Sequence, residues 1–346
     1  MPPSDRIAIA RVRSAGDAEW DAVWLASEHA TYFHSRAWAE IWADHRRGDL
    51  RPAPRVVEFS DGRSALLPLC EERPRGRGPR RYRSSPAGCY GGWISEDALG
   101  KEHAERLLAY LVDEVAGLAW RVSPWDPLAA GLSAGVGERE HTRALRLEAG
   151  FEHLERRFAS GARWGARRAT REGLQVGIAT APEDWRAYYA AYGDALARWG
   201  DRASSRYDWD LFARIRARDR ENARLWVARL RGEVIAGGLV LYAPHHAAWW
   251  HGAALESHLR KQPMHLLLHA MIRDACEQGL GVFDMGPSHS HRGVEEFKAA
   301  YATDSLPCPM LRSEPVSWRR DLRRILEPER IPGLARARRA LAWMLE

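Results

Sequence analysis

The chain has 346 residues, 45% of them hydrophobic and 28% charged, with a formal net charge of +6. That length suits two ordinary domains and that composition a globular protein, and no apolar run is long enough to span a bilayer. The four cysteines (Cys70, Cys89, Cys276, Cys308) form no C-x-x-C pair, which leaves zinc and redox motifs without support.

Residues 7–12 (IAIARV) predict a strand, and residues 17–29 space Trp20, Val23 and Trp24 as a helix does. Residues 35–45 predict a second helix with Ser35 as its N-cap. Asp61-Gly62, inside residues 54–70, predicts a hairpin. A basic, turn-rich loop follows at 71–83, and SSPAGCYGGWI at 84–94 predicts a strand with a close backbone approach. A helix is expected over 98–115, a strand over 118–125 and another over 141–148. The order then begins again: a basic helix over 159–173, a strand over 174–180, a long helix from Pro182 to Gly200, and another helix over 206–220. Residues 224–254 predict a three-stranded antiparallel meander, 263–279 a helix, 281–285 a strand, and 306–312 a last strand. Two amphipathic basic helices close the chain over 315–346.

Helix pairs, a meander, a helix and a strand thus occur once in each half. The fold class expected is mixed α+β: two similar units, each a mostly antiparallel sheet flanked by helices, with one cleft between them. The first unit is expected over 1–155, the second over 156–312, and the C-terminal helices over 313–346. The first residues carry no apolar core of signal-peptide length, so a reducing, cytoplasmic setting is expected. The basic balance is compatible with a polyanionic partner and equally with a solvated arginine-rich surface.

Lysine is rare here: Lys101, Lys261 and Lys298 are all there are. Lys298 closes FDMGPSHSHRGVEEFK, where an apolar strand runs into a polar loop and then a helix. A lysine is a compact donor whose pKa moves when it is buried, so its retention in an arginine-rich chain is informative. A solvated helix lysine is the plain alternative.

Three stretches, YFHSRAWAEIW at 32–42, ARWGARRATREGLQV at 162–176 and FDMGPSHSHRGVEEFKAAYA at 283–302, resemble the FemAB-like acyltransferases, a branch of the GNAT superfamily. The resemblance covers roughly residues 30–312, and the third stretch is its most specific part. It implies two tandem GNAT-like units and transfer of an acyl or aminoacyl group to an amine, with aminoacyl-tRNA or acyl-CoA as donor. The acceptor implied is a peptidoglycan precursor or a small molecule. No coiled-coil arm of the kind some cell-wall members carry is recognisable, which favours a small-molecule acceptor.

The resemblance implies that Lys298 sits at the donor carbonyl or the tRNA terminus, where a fixed cation stabilises a developing oxyanion. Asp284 belongs to the same motif. It could orient Lys298, bind the acceptor amine or accept its proton, or simply cap loop amides at the strand end. His289 and Arg292 in the intervening loop are expected to meet substrate, with His289 and His291 as proton relays or as exposed loop side chains. No third ligand is spaced for a metal, so none is expected.

CoA-using relatives carry an Arg/Gln-x-x-Gly-x-Gly/Ala turn whose N–H groups cradle pyrophosphate. Here the residues are Arg260, Lys261, Gln262, Pro263, Met264 and His265, and Pro263 has no N–H. That departure favours aminoacyl-tRNA as co-substrate, with no cofactor. Arg163, Arg167 and Arg171 share one helix face and, with Arg260 and Lys261, are candidates for tRNA phosphates; a solvated basic face is the alternative. The tail around Arg319, Arg320, Arg323 and Arg324 is a further candidate. On the acceptor side, Tyr90 and Gly91 match a permissive family pattern. Strand alternation sets Trp249 and Trp250 on opposite faces, one in the core and one in the cleft, with His251 sharing the face of Trp249. Trp250 and His251 are the cleft candidates. An acyl-CoA N-acyltransferase and a non-catalytic RNA-binding protein are the other readings.

Overall fold

The computed structural model describes residues 6–73, 80–132, 140–203, 205–288, 292–301 and 303–312. The expected closing helices over 313–346, with their arginines, lie outside the described residues, as do His289 and His291.

Local chemistry sets the first elements. Strand β1 (Ile9–Ser14) leads into helix α1 (Asp17–Ala26) and, after a short 3-10 turn, helix α2 (Arg36–His45), where the Ser35 hydroxyl accepts the Trp38 N–H at 3.1 Å as the expected N-cap. Strands β2 (Leu50–Pro52), β3 (Arg55–Phe59), β4 (Ser64–Leu67), β5 (Cys70–Glu72), β6 (Arg81–Arg83) and β7 (Tyr90–Gly91) follow, and the Asp61-Gly62 hairpin joins β3 to β4 as expected. Helix α3 (Lys101–Asp113), strand β8 (Leu118–Val122), the short helix α4 (Pro127–Leu132) and strand β9 (His141–Arg146) complete the first half.

Helices α5 (Phe151–Arg157) and α6 (Ser160–Arg171) open the second half. Then come β10 (Leu174–Ile178), α7 (Pro182–Trp199), α8 (Trp209–Arg218) and the meander of β11 (Ala223–Leu230), β12 (Glu233–Ala243) and β13 (His246–Ala254). A 3-10 stretch (Glu256–Lys261) precedes α9 (Pro263–Glu277), followed by β14 (Val282–Pro287), α10 (Arg292–Ala299), β15 (Asp304–Pro307) and β16 (Met310–Arg312).

The strands form three sheets. One runs β1-β3-β4, one runs β16-β8-β6-β5-β2 with β7 also on β8, and the largest runs β10-β11-β12-β13-β14-β9-β15. In the largest sheet β13 and β14 are parallel and the other neighbours antiparallel. The halves exchange strands. β9, read from the sequence with the first unit, is hydrogen-bonded between β14 and β15. The one strand expected over 306–312 is the end of β15 and the whole of β16, and β16 returns to pair with β8.

The largest buried cluster joins the halves too. Trp20, Trp38 and Trp42 from α1 and α2 pack in one body with Tyr188, Tyr192 and Phe212 from α7 and α8. Two further clusters lie under α3 in the first half and between α6, α9 and the largest sheet in the second.

Candidate active site

Parallel pairing of β13 with β14 runs from His246↔Val282 to Ala248↔Asp284. Beyond that rung lies a cavity of about 920 Å³, walled by β13, β14, the start of α9, α10 and first-half residues around Tyr90. That volume is ample for a small-molecule site.

Asp284, 1% exposed, stands at the last paired rung. Its Oδ1 accepts from the Thr142 hydroxyl at 2.6 Å and the Gly286 N–H at 2.8 Å, whereas Oδ2 is buried without a hydrogen bond. Burial raises the Asp284 pKa above the usual carboxylate range, and the bonds from Thr142 and Gly286 hold it back. His246 Nε2 lies 3.7 Å from Oδ2, and burial drives that imidazole down to about 3, so it is neutral.

Lys298, on α10, is 4% exposed and lines the same cavity. Its Nζ donates to the carbonyl oxygens of Gly286 at 2.8 Å and Pro287 at 2.9 Å. Desolvation lowers its pKa to about 8, while the carboxylates of Asp284 and Glu295 pull the other way. The lysine is therefore not a solvated surface group. It is a buried cation held by two neutral carbonyls, with a carboxylate on the same wall.

Tyr90 reaches the cavity from β7. Its hydroxyl makes no hydrogen bond of good geometry, but it lies by Asp284 and Thr142, and burial with the Asp284 charge keeps it protonated. Gly91 does not line the cavity. A Cβ there would sit 2.3 Å from Ser84 Oγ and 2.6 Å from the Ser84 carbonyl carbon, so the close approach expected of this glycine is an internal one. Arg292 stands at the rim, its side chain 92% exposed and paired with Glu296 at 2.7 Å.

The alternation expected on β13 is broken. Leu239 pairs with His251 and Val240 with Trp249, so Trp250 is the extra residue of a β-bulge. The bulge turns Trp250 and His251 to one side, against Trp38, Tyr207 and Tyr192, while Trp249 packs toward Phe297 on the other. His251 thus shares the side of Trp250, not that of Trp249. Its Nδ1 meets the Tyr188 hydroxyl at 2.5 Å, and burial lowers its pKa to about 3.

The basic candidates stand elsewhere. On α6, Ala162, Gly165, Ala166 and Ala169 are buried, and Arg167 and Arg171 are exposed, with Arg163 between. Arg260 is exposed beside cavity-lining Leu259, and Lys261 is bonded to Glu172 at 2.7 Å. None of the arginines Arg163, Arg167, Arg171 and Arg260 lines the cavity. Away from the cleft, His45, Asp208 and Asp210 come within 4.8 Å of one another. The Arg214 guanidinium, 2.6 Å from Asp210, makes that group an ion-pair network.

Several wall residues escaped the sequence reading. Arg121 donates to Gly88 O and to Glu140 Oε2, both at 2.5 Å, and is buried on β8. A lone arginine inside LAWRVSPW was the available signal. Tyr192 and Tyr207 carried none, nor did Thr142, buried behind the wall against Asp284, because their roles depend on strand exchange and helix packing.

Residues 156–299 match a family model described as an acetyltransferase (GNAT) domain. Among solved structures, FemX is similar over 92% of this chain and 99% of its own, at 13% identity and a TM-score of 0.68. L-PGS from Bacillus licheniformis matches over 91% and 96% at 14% identity, TM-score 0.54. The C-terminal domain of a putative lysylphosphatidylglycerol synthetase from Agrobacterium fabrum matches over 84% and 94% at 13% identity, TM-score 0.53. Comparison with curated proteins gives no match. At these identities the structural likeness is one of fold. The second half thus carries a match to a GNAT acetyltransferase domain, which supports acyl transfer, and the chain as a whole shares its fold with FemX. The mixed α/β fold expected from the sequence, with tandem GNAT-like units, extends over the span that FemX shares. Among the described residues no helix is long and apolar enough to cross a membrane.

Proposed function

We propose that the protein forms an amide bond, passing an amino acid from aminoacyl-tRNA to an amine of a small metabolite or a peptidoglycan precursor, in the cytoplasm and without a cofactor. The observation that carries this reading is Lys298: a buried ammonium on the wall of a cleft that also holds a carboxylate with one free oxygen. The amine nitrogen attacks the ester carbonyl carbon, and its proton passes to Asp284 Oδ2. Lys298 Nζ donates to the carbonyl oxygen as negative charge gathers there. The ester C–O bond breaks, and the ribose oxygen leaves with the proton returned by Asp284.

The donor assignment rests on the start of α9. Pro263 has no N–H, and the His265 N–H is already bonded to Gln262 O at 3.2 Å, so the turn is poor in free amides for a pyrophosphate. Arg121, Arg198, Arg292 and Lys298 line the cavity; the arginines are paired with Glu140, Asp194 and Glu296, and a polyanionic donor such as an RNA terminus would compete for them. The names of FemX and of the lysylphosphatidylglycerol synthetases fit aminoacyl transfer. The description of the matched domain favours acyl-CoA as the second reading.

The test is a reconstituted assay with a pool of charged tRNAs and amine acceptors, read by mass. Ribonuclease should abolish product, and Lys298→Ala should cut the rate by about 10²–10³-fold. CoA should leave the melting temperature unchanged. Ribonuclease-resistant transfer from acyl-CoA would overturn the donor assignment. RNA binding without transfer, indifferent to Lys298→Ala, would make the protein a binder only.

A further inference from the structure

The cleft has an uncharged end. The bulge on β13 brings Trp250 beside Tyr207, stacked at 5.1 Å between ring centroids, and the rings of Tyr192 and Phe33 complete this part of the wall. The Tyr192 hydroxyl is already engaged: it donates to Ser205 O at 3.2 Å and accepts the Tyr207 N–H at 3.1 Å. The Tyr207 hydroxyl lies near Ser205 and the Trp250 indole N–H near the Cys89 thiol. What these side chains offer the cavity is ring surface.

This end lies close to the reacting groups. Ala248 is paired with Asp284, and Trp250, the bulged residue, is two positions further along the same strand, in the same cavity wall. We propose that this aromatic lobe is a subsite for an uncharged aromatic or similarly bulky apolar group attached next to the reacting atoms. That group belongs either to the acyl unit transferred or to the acceptor amine. A cationic group is the competing guest, because tyrosine and tryptophan faces also attract cations. The wall gives such a guest little: its one carboxylate, Asp284, is shared with the Lys298 ammonium, and Arg121, Arg198 and Arg292 already hold Glu140, Asp194 and Glu296. The subsite rests on the acyl-transfer reading for its purpose, but not for its detection.

The test is calorimetric titration of the full chain with paired probes. L-phenylalaninamide against L-alaninamide represents the acyl unit, and tyramine against ethanolamine the acceptor; L-lysinamide is the cationic probe. In at least one pair the aromatic member should bind about tenfold or more tightly than the small one, as burying a ring demands. The pair that shows it identifies which substrate carries the ring. Trp250→Ala and Tyr207→Ala should each bring the pair within about twofold. Trp250 also packs on Trp38 at 5.2 Å, so Tyr207→Ala, in the segment before α8, decides if the first variant does not fold. Equal binding within both pairs, preference for L-lysinamide, or an aromatic preference untouched by Tyr207→Ala overturns the subsite. Binding is read without turnover, so a chain that fails to transfer aminoacyl groups yet prefers aromatic probes sinks the proposed reaction alone.

Discussion

Lys298 sits where an ammonium group burdens the fold. A pKa moved from 10.5 to about 8 by burial corresponds to about 3 kcal/mol against the charged native state. Between those two values the unfolded chain binds the proton and the native chain does not, so stability rises with pH across that window and is lowest below about 8. Lys298→Met removes the penalty and forfeits two hydrogen bonds to carbonyls, each worth about 1 kcal/mol. The variant should melt at or above the wild-type temperature, lose the rise in stability between pH 8 and 10.5, and lose transfer; a clear drop in melting temperature would contradict this account. Activity that needs the cation should fall as pH passes about 8, and activity that needs the Asp284 carboxylate should fall as pH drops through its raised pKa, an acid limb that Asp284→Asn removes. Lys298 and Asp284 could be found in the sequence because a scarce lysine and an acid flank one strand, loop and helix. Thr142 and Tyr90, which surround the acid, come from the other half of the chain; the Tyr-Gly pattern pointed to Tyr90, and no local pattern announces Thr142.

Helices α6 and α9 show how an element positions a wall residue. A Cβ on Gly165 would stand 2.5 Å from the His265 ring, which is itself stacked on Tyr301 and bonded to its hydroxyl at 2.7 Å. Gly165→Ala must therefore push α6 outward or turn a cavity-lining imidazole, at about 1–3 kcal/mol by denaturant titration. Gly161 on the same helix has nothing within 4 Å of an added Cβ, so Gly161→Ala should be neutral or slightly stabilising. Equal costs at the two positions would mean that helix propensity, not contact with α9, sets the outcome. The basic face of α6 and the N-cap of α2 are legible in the sequence because both depend on neighbours within a turn. The bulge at Trp250 is not, because it is defined only by the register of β13 against β12, and it reverses which tryptophan accompanies His251.

At the scale of the molecule, the exchange of β9 and β16 ties the two halves together. Residues 156–312 without β9 would leave β14 and β15 with no strand between them and would strip Asp284 of its bond from Thr142. Residues 1–155 would lack β16, the edge strand beside β8. The core adds to this, since the cluster containing Trp38 and Trp42 is closed by Tyr188, Tyr192 and Phe212 from the second half, and cutting the chain would expose rings on both sides. Sequence order suggested two similar units sharing one cleft, because periodicity marks elements, not their pairing partners. The physical expectation is one cooperative transition: calorimetric and van't Hoff enthalpies of the whole chain should agree, and the 156–312 fragment should give no sharp transition of its own. Two resolved transitions, or a fragment that folds alone with Lys298 still buried, would mean that the shared core and the exchanged strands contribute little, and that the cleft is an interface between independent domains.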